Sequence, residues 1–193
     1  MENEENKDIK SKFVVPTSSQ LAIDISHIDD IVNNFLSEIS FNRTFPLDLI
    51  NLTNKMGGYK LFYLQDSPDD TAEAIIDPQN KRIALNARFK KDFSSYLCGR
   101  YIICKMIAHI ALNHIPKGKG WKEPRKENRV EEDILLNPIT AAFAYELLMP
   151  KKDFEAQWNN LGQDIKKLSS YFAASQVHII ERKCYLFKEN NNA

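Results

Sequence analysis

The sequence predicts an α+β protein that is mostly helical, with a small three-stranded sheet and a pair of short helices near its C-terminal end. Three observations predict it. Apolar residues recur at spacings of three and four over most of the chain. Between about residues 60 and 85 that period gives way to short β-type runs around turn residues. Pro and Gly fall at the joints between the helical stretches.

Residues 1–25 open with a charged, polar stretch and are expected to form a flexible tail. Ile28, Ile31, Val32, Phe35, Leu36 and Ile39 then make one helical stripe. A second helix is expected from Pro46, a residue tolerated in a first turn, with Leu49, Ile50, Leu52 and Met56 as its stripe. Gly57-Gly58 stops it. Residues 60–64 read as a short strand. Residues 72–76 and 82–85 flank Asp77-Pro78-Gln79-Asn80, which is turn chemistry, and so read as a hairpin. Residues 91–115 return to the helical period and are apolar on several faces, as expected of a central buried helix that ends before Pro116. A further helix is expected from Asn137 or Pro138 to Met149, closed by Pro150, and a short one over 153–158. The last pair, 164–172 and 175–184, is joined at Ala173-Ala174, with Ser175 as the N-cap of the second helix. Residues 188–193 form another polar tail.

Composition narrows the function classes. A chain of 193 residues is one domain, or one with a small appendage. It is 43% hydrophobic and 27% charged, as a globular protein is, and has no need of a disulfide or metal staple to fold. Lys plus Arg and Asp plus Glu both total 26, so the formal net charge is zero. That argues against a dedicated nucleic-acid or membrane-surface binder at the level of the whole chain, though not against a local patch. Cys98, Cys104 and Cys184 are an odd count without CxxC spacing, which reads as a reduced, intracellular chain. No apolar run approaches the ~20 residues that would span a bilayer, and the N-terminus lacks the apolar core of a signal peptide. The expected location is cytoplasmic. Residues 116–130 carry Lys117, Lys119, Lys122, Arg125, Lys126 and Arg129 against Glu123 and Glu127. The segment reads as a solvated loop, or as a lid or partner-binding loop with Trp121 as its anchor.

Several blocks stand in a telling order: Pro46-Leu47-Asp48-Leu49-Ile50-Asn51-Leu52, the hairpin 74–86, the helix from Arg100 to His109, and Ala142-Phe143-Ala144-Tyr145-Glu146-Leu147-Leu148-Met149-Pro150. Over roughly residues 30–185 the chain resembles the ImmA/IrrE-type metallopeptidase domain. The resemblance implies a zincin-like domain over 26–160 and a helix-turn-helix-like pair, 161–187, packed on it. It also implies an active helix reading H-E-x-x-H. Histidines four apart share a helix face and reach one zinc ion, and the glutamate is general base on the zinc-bound water. A third ligand comes from the following helix.

Carried over residue by residue, the first histidine falls on Lys105, the glutamate on Met106, the second histidine on His109 and the third ligand near Ile139. A lysine charged at neutral pH repels a divalent cation, a thioether takes no proton from water, and isoleucine ligates nothing. His114, five residues after His109, points about 140° away. The expectation is a vestigial cleft marked by Lys105, Met106, His109, Ile139 and Glu146, with no catalytic residue, no metal and no cofactor. Lys105 is expected either to fill the cation's place, paired with a carboxylate such as Glu146, or to extend to solvent. The expected function is that of a non-catalytic regulatory protein that binds another protein. In the setting the resemblance implies, of phages and mobile elements, the partner is a helix-turn-helix repressor or a toxin or effector. The expected groove runs along the 100–115 helix, the hairpin edge and the loop 116–130, with a peptide adding to the hairpin as a strand. Two alternatives stand beside this: an active zinc peptidase with a non-standard ligand set, and a DNA-binding regulator using Lys166, Lys167, Arg182 and Lys183 for charge and Gln176 or His178 for bases.

Overall fold

The computed structural model describes residue 25 and residues 27–64, 72–115, 119–125 and 131–187, without the side chains of 131–136. The expected tails, apart from residue 25, and Lys117 and Lys126 of the expected binding loop lie outside the described residues. Seven α-helices and four strands follow in order among the described residues: α1 (Ile28–Glu38), α2 (Leu49–Lys55), β1 (Lys60–Tyr63), β2 (Ala72–Asp77), β3 (Arg82–Leu85), a 3-10 turn (Ala87–Lys90), α3 (Phe93–Ala111), β4 (Trp121–Pro124), α4 (Glu131–Leu148), α5 (Lys151–Asn160), α6 (Ile165–Phe172) and α7 (Gln176–Leu186). None of these helices is long and apolar enough to cross a membrane.

The local chemistry accounts for the boundaries. α1 buries Ile28, Val32 and Leu36, and its Phe35 meets Phe143 edge to face at 5.7 Å. α2 begins three residues after Pro46, because the Asp48 carboxylate caps it by accepting from the Asn51 N–H at 3.0 Å. Gly57 and Gly58 end it at φ of 99° and 82°, a region that side chains with a Cβ avoid. α3 buries nearly every residue from Leu97 to His109 and is the central helix, packed on α4 and the sheet. α4 starts at Glu131 rather than at Asn137 or Pro138, and Pro138 lies within it. The one ladder bond that Pro removes is tolerated where the rest of the helix, from Ile139 to Leu148, is packed on almost every side.

The sheet has four strands, not three, in the order β1-β3-β2-β4. β1 runs parallel to β3, and β2 runs antiparallel to both β3 and β4. The added strand comes from the segment read as a solvated loop. Its residues alternate: Trp121 and Glu123 turn inward while Lys122 is exposed. Gly120 makes the approach possible, since a Cβ there would lie 2.8 Å from the Ile76 carbonyl oxygen. Both sides of the hairpin are thus occupied, β3 by β1 and β2 by β4, so no peptide can add to the hairpin as expected.

Two buried arginines hold the C-terminal pair on this body. Arg100 of α3 donates to the Leu47 carbonyl at 2.7 Å and to the Ala173 carbonyl, between α6 and α7, at 2.8 Å. Arg182 of α7 donates from Nε to the Met149 carbonyl at 3.0 Å and from Nη2 to Glu146. Phe172 stacks on Phe154 at 5.9 Å. Ser175 caps α7, as its position in the sequence predicts. Removing one partner of a buried ion pair strands the other charge. Arg182→Ala is therefore expected to lower the unfolding free energy by about 3–5 kcal/mol, and Lys183→Ala, at an exposed position, by about 0.5 kcal/mol or less. Urea unfolding of both variants measures this, and equal losses would refute the cross-link.

Candidate functional site

Lys105 and His109 lie one turn apart on the inner face of α3, both buried. The Lys105 ammonium pairs with the Glu123 carboxylate and donates to Asn137 Oδ1 at 2.8 Å. The second Glu123 oxygen lies 3.3 Å from His109 Nε2. A carboxylate only accepts, so the proton of that imidazole sits on Nε2. The Trp121 ring lies against His109 at 4.3 Å. The side chains of Lys105, Glu123 and His109 are 3%, 4% and 2% exposed. With Thr140 they leave a gap of about 10 Å³, at most the room of one water molecule. Burial alone would push the Glu123 carboxyl up. The hydrogen bond from His109 and the Lys105 charge outweigh it and hold it down at about 2.

Three elements therefore meet at one ammonium, and its partners differ from those expected. The carboxylate is Glu123, from β4, and not Glu146. Glu146 points to Arg182 and accepts from the Lys151 N–H, at the start of α5, at 3.2 Å. The α4 residue that reaches Lys105 is Asn137, not Ile139, which lies two positions on and about 200° around the helix. Met106 and Ile139 are both buried apolar side chains. Trp121 faces His109 and is not an outward anchor, whereas Lys119 and Lys122 are exposed and Arg125 is half-buried. Sequence reasoning missed Glu123 and Asn137. The alternation in Trp121-Lys122-Glu123-Pro124 was the available signal for the first, and the helical face shared by Asn137, Thr140, Ala141 and Ala144 for the second.

The zinc ion that the resemblance implies does not fit these residues. His109 and Glu123 turn their facing atoms to each other, and an ammonium lies between Glu123 and Asn137. Among the described residues no three His, Cys, Asp or Glu side chains are placed to hold an ion.

Lys105 and Asn137 also border a cleft of about 800 Å³ between α3, α4 and α7. Part of its wall carries neutral hydrogen-bonding groups. Tyr145 donates to Glu181. Tyr101 lies 4.9 Å from Tyr145 and 4.1 Å from His178, ring to ring. Ser175 Oγ lies 2.9 Å from His178 Nδ1. Burial holds the His178 imidazole down at about 4 and raises both phenols, so all three rings are uncharged at neutral pH. Ser94, Ser95 and Cys98 complete the α3 side. Glu73, Arg88, Lys91 and Glu181 line the same cleft, so neutral rings and charges of both signs face it together, a mixture that suits a peptide's main chain and polar side chains.

Comparison with known proteins agrees with this architecture. The family model described as the IrrE N-terminal-like domain matches residues 57–182. No curated protein matches the chain. Among solved structures, a Mycobacterium tuberculosis transcriptional regulator superposes with a TM-score of 0.59 at 14% identity, over 87% of this chain and 49% of that one. The present chain thus spans about half the length of that structure, and the likeness is one of fold.

Two outcomes follow for the buried cluster. Lys105→Met leaves Glu123 buried without its cation and is expected to cost about 3–5 kcal/mol in urea unfolding; an unchanged stability would refute the pairing. The pH dependence has two limbs. His114 and His178, held down at about 4 by burial against an ordinary 6.5, are protonated first in the unfolded chain, so stability falls as pH drops from about 6.5 to about 4. Glu123, held at about 2 against an ordinary 4.5, lends stability above 4.5 and loses it as pH falls toward 2. Glu123→Gln is expected to flatten the lower limb and spare the upper one.

Proposed function

The chain belongs to the family of IrrE N-terminal-like domains, and from that premise we propose that it is a regulatory protein that binds another protein in the cleft beside Lys105 without cleaving it. One observation carries the reading: the ammonium of Lys105, held by Glu123 and Asn137, stands among the positions to which the family's zinc ligands carry over. An ammonium can donate a hydrogen bond to a peptide carbonyl. It neither lowers the pKa of a water nor places one for attack, and Met106 beside it cannot act as a base. What remains is recognition. Tyr101, Tyr145 and His178 offer flat rings to an extended chain, and Glu73, Arg88, Lys91 and Glu181 line the same cleft with charges of both signs.

The partner class follows from the family resemblance: a helix-turn-helix repressor, or a toxin or effector of a mobile element. The similar structure is that of a transcriptional regulator, which is in keeping with a regulatory role. The alternative of reading DNA through the C-terminal pair has less support. Arg182 is buried against Glu146 and His178 lies against Tyr101, so neither is available to a duplex, which leaves Lys166, Lys167, Gln176 and Lys183, all exposed, to that reading.

Capture from the native cell with purified full chain, followed by metal analysis of the same sample, tests the proposal. An intact repressor, toxin or effector with no stoichiometric zinc is the expected result. A Ser95→Arg variant, which fills the cleft, is expected to lose that partner. A partner recovered as fragments, or stoichiometric zinc, would overturn the proposal.

A further inference from the structure

A second cavity, of about 530 Å³, lies between α1, the connection from α1 to α2 and the start of α5. It shares no lining residue with the cleft beside Lys105. Leu36, Phe41 and Phe45 give it an apolar wall, and Phe45 is set in place by Tyr171, at 5.6 Å, and Phe172, at 5.3 Å. Two charged side chains face it, Arg43 and Asp153, both half-buried. The remaining lining groups, two amides and a hydroxyl, are uncharged.

Arg43 has an unmet demand. Its Nε and Nη2 are shut off from solvent and have no hydrogen-bond partner. Together these two N–H groups form the fork that grips a carboxylate side-on. In Arg182 the same two nitrogens are filled, by the Met149 carbonyl and by Glu146. Around Arg43, Glu146 and Asp153 act on the charge without forming an ion pair with it, and Glu146 is already taken by Arg182. A buried donor left without an acceptor is costly, and more so on a charged group. The cavity that Arg43 borders is where an acceptor can enter. Asp153 sets the second requirement. A simple anion drawn to Arg43 is repelled by Asp153, so the two together favour a ligand that carries both charges close to one another.

We propose that this cavity binds a free α-amino acid with an apolar side chain, its carboxylate on the Arg43 fork, its ammonium on Asp153 and its side chain against Leu36, Phe41 and Phe45. Held by no bond of its own, the Arg43 guanidinium is free to turn its fork to the ligand. The zwitterion then bridges a cation and an anion that do not reach each other. This site lies apart from the cleft and does not depend on its reading.

Isothermal titration of the full chain with L-leucine and L-phenylalanine, taken to about 10 mM, tests it, since ligands of roughly ten heavy atoms bind at about millimolar strength. Saturable binding of at least one of them at a single site is expected, with a raised melting temperature. Isocaproate, which lacks the ammonium, isoamylamine, which lacks the carboxylate, and inorganic phosphate are each expected to bind about tenfold or more weakly, the worth of one charge-assisted bond. Arg43→Met is expected to abolish binding. Because it removes a cation without a partner, the ligand-free melting temperature stays unchanged or rises. Asp153→Asn is expected to erase the preference for leucine over isocaproate. No saturable binding of either amino acid, isocaproate or phosphate bound as tightly, or Arg43→Met binding like the parent would overturn the proposal.

Discussion

A lysine ammonium cannot be taken out of water alone, and much of this structure answers that constraint. Desolvating the charge of Lys105 costs several kcal/mol unless a carboxylate and further acceptors meet it. Glu123 and Asn137 do so. To reach Lys105, Glu123 must face inward, and that fixes the register of β4. Lys122 is then exposed, Trp121 lies on His109, and Gly120 passes close to the Ile76 carbonyl. β4 in turn closes the β2 side of the hairpin. One buried charge thus sets the shape of a sheet edge and ties α3, β4 and α4 together.

The C-terminal helices answer the same constraint. Arg182 and Glu146 look on paper like surface groups, yet they are buried against one another, and Arg100 clasps two carbonyls far apart in sequence. These ties hold α7 against α3 and α4, which makes His178 and Glu181 a wall of the cleft.

Charge is handled differently on the two sides of Lys105. Toward β4 it is buried and paired, Lys105 with Glu123 and Asn137. Toward the cleft between α3, α4 and α7, neutral rings stand beside Glu73, Arg88, Lys91 and Glu181.

The sequence by itself determined the order and type of the helices and of the hairpin, because these rest on local period, caps and turn residues. Ser175 caps where such a residue should, and Gly57-Gly58 stops α2, whose start the sequence put at Pro46 rather than after the Asp48 cap. That Lys105 and His109 share one face of the central helix was legible too, since their spacing is a property of one helix. Only the tertiary structure decided which carboxylate meets Lys105, that Asn137 rather than Ile139 faces it, and that a basic segment is a strand. Local rules placed Glu123 among lysines, where its charge read as solvated. Partner choice depends on distance in space, and residues 105, 123 and 137 come together only once β4 and α4 are laid against α3.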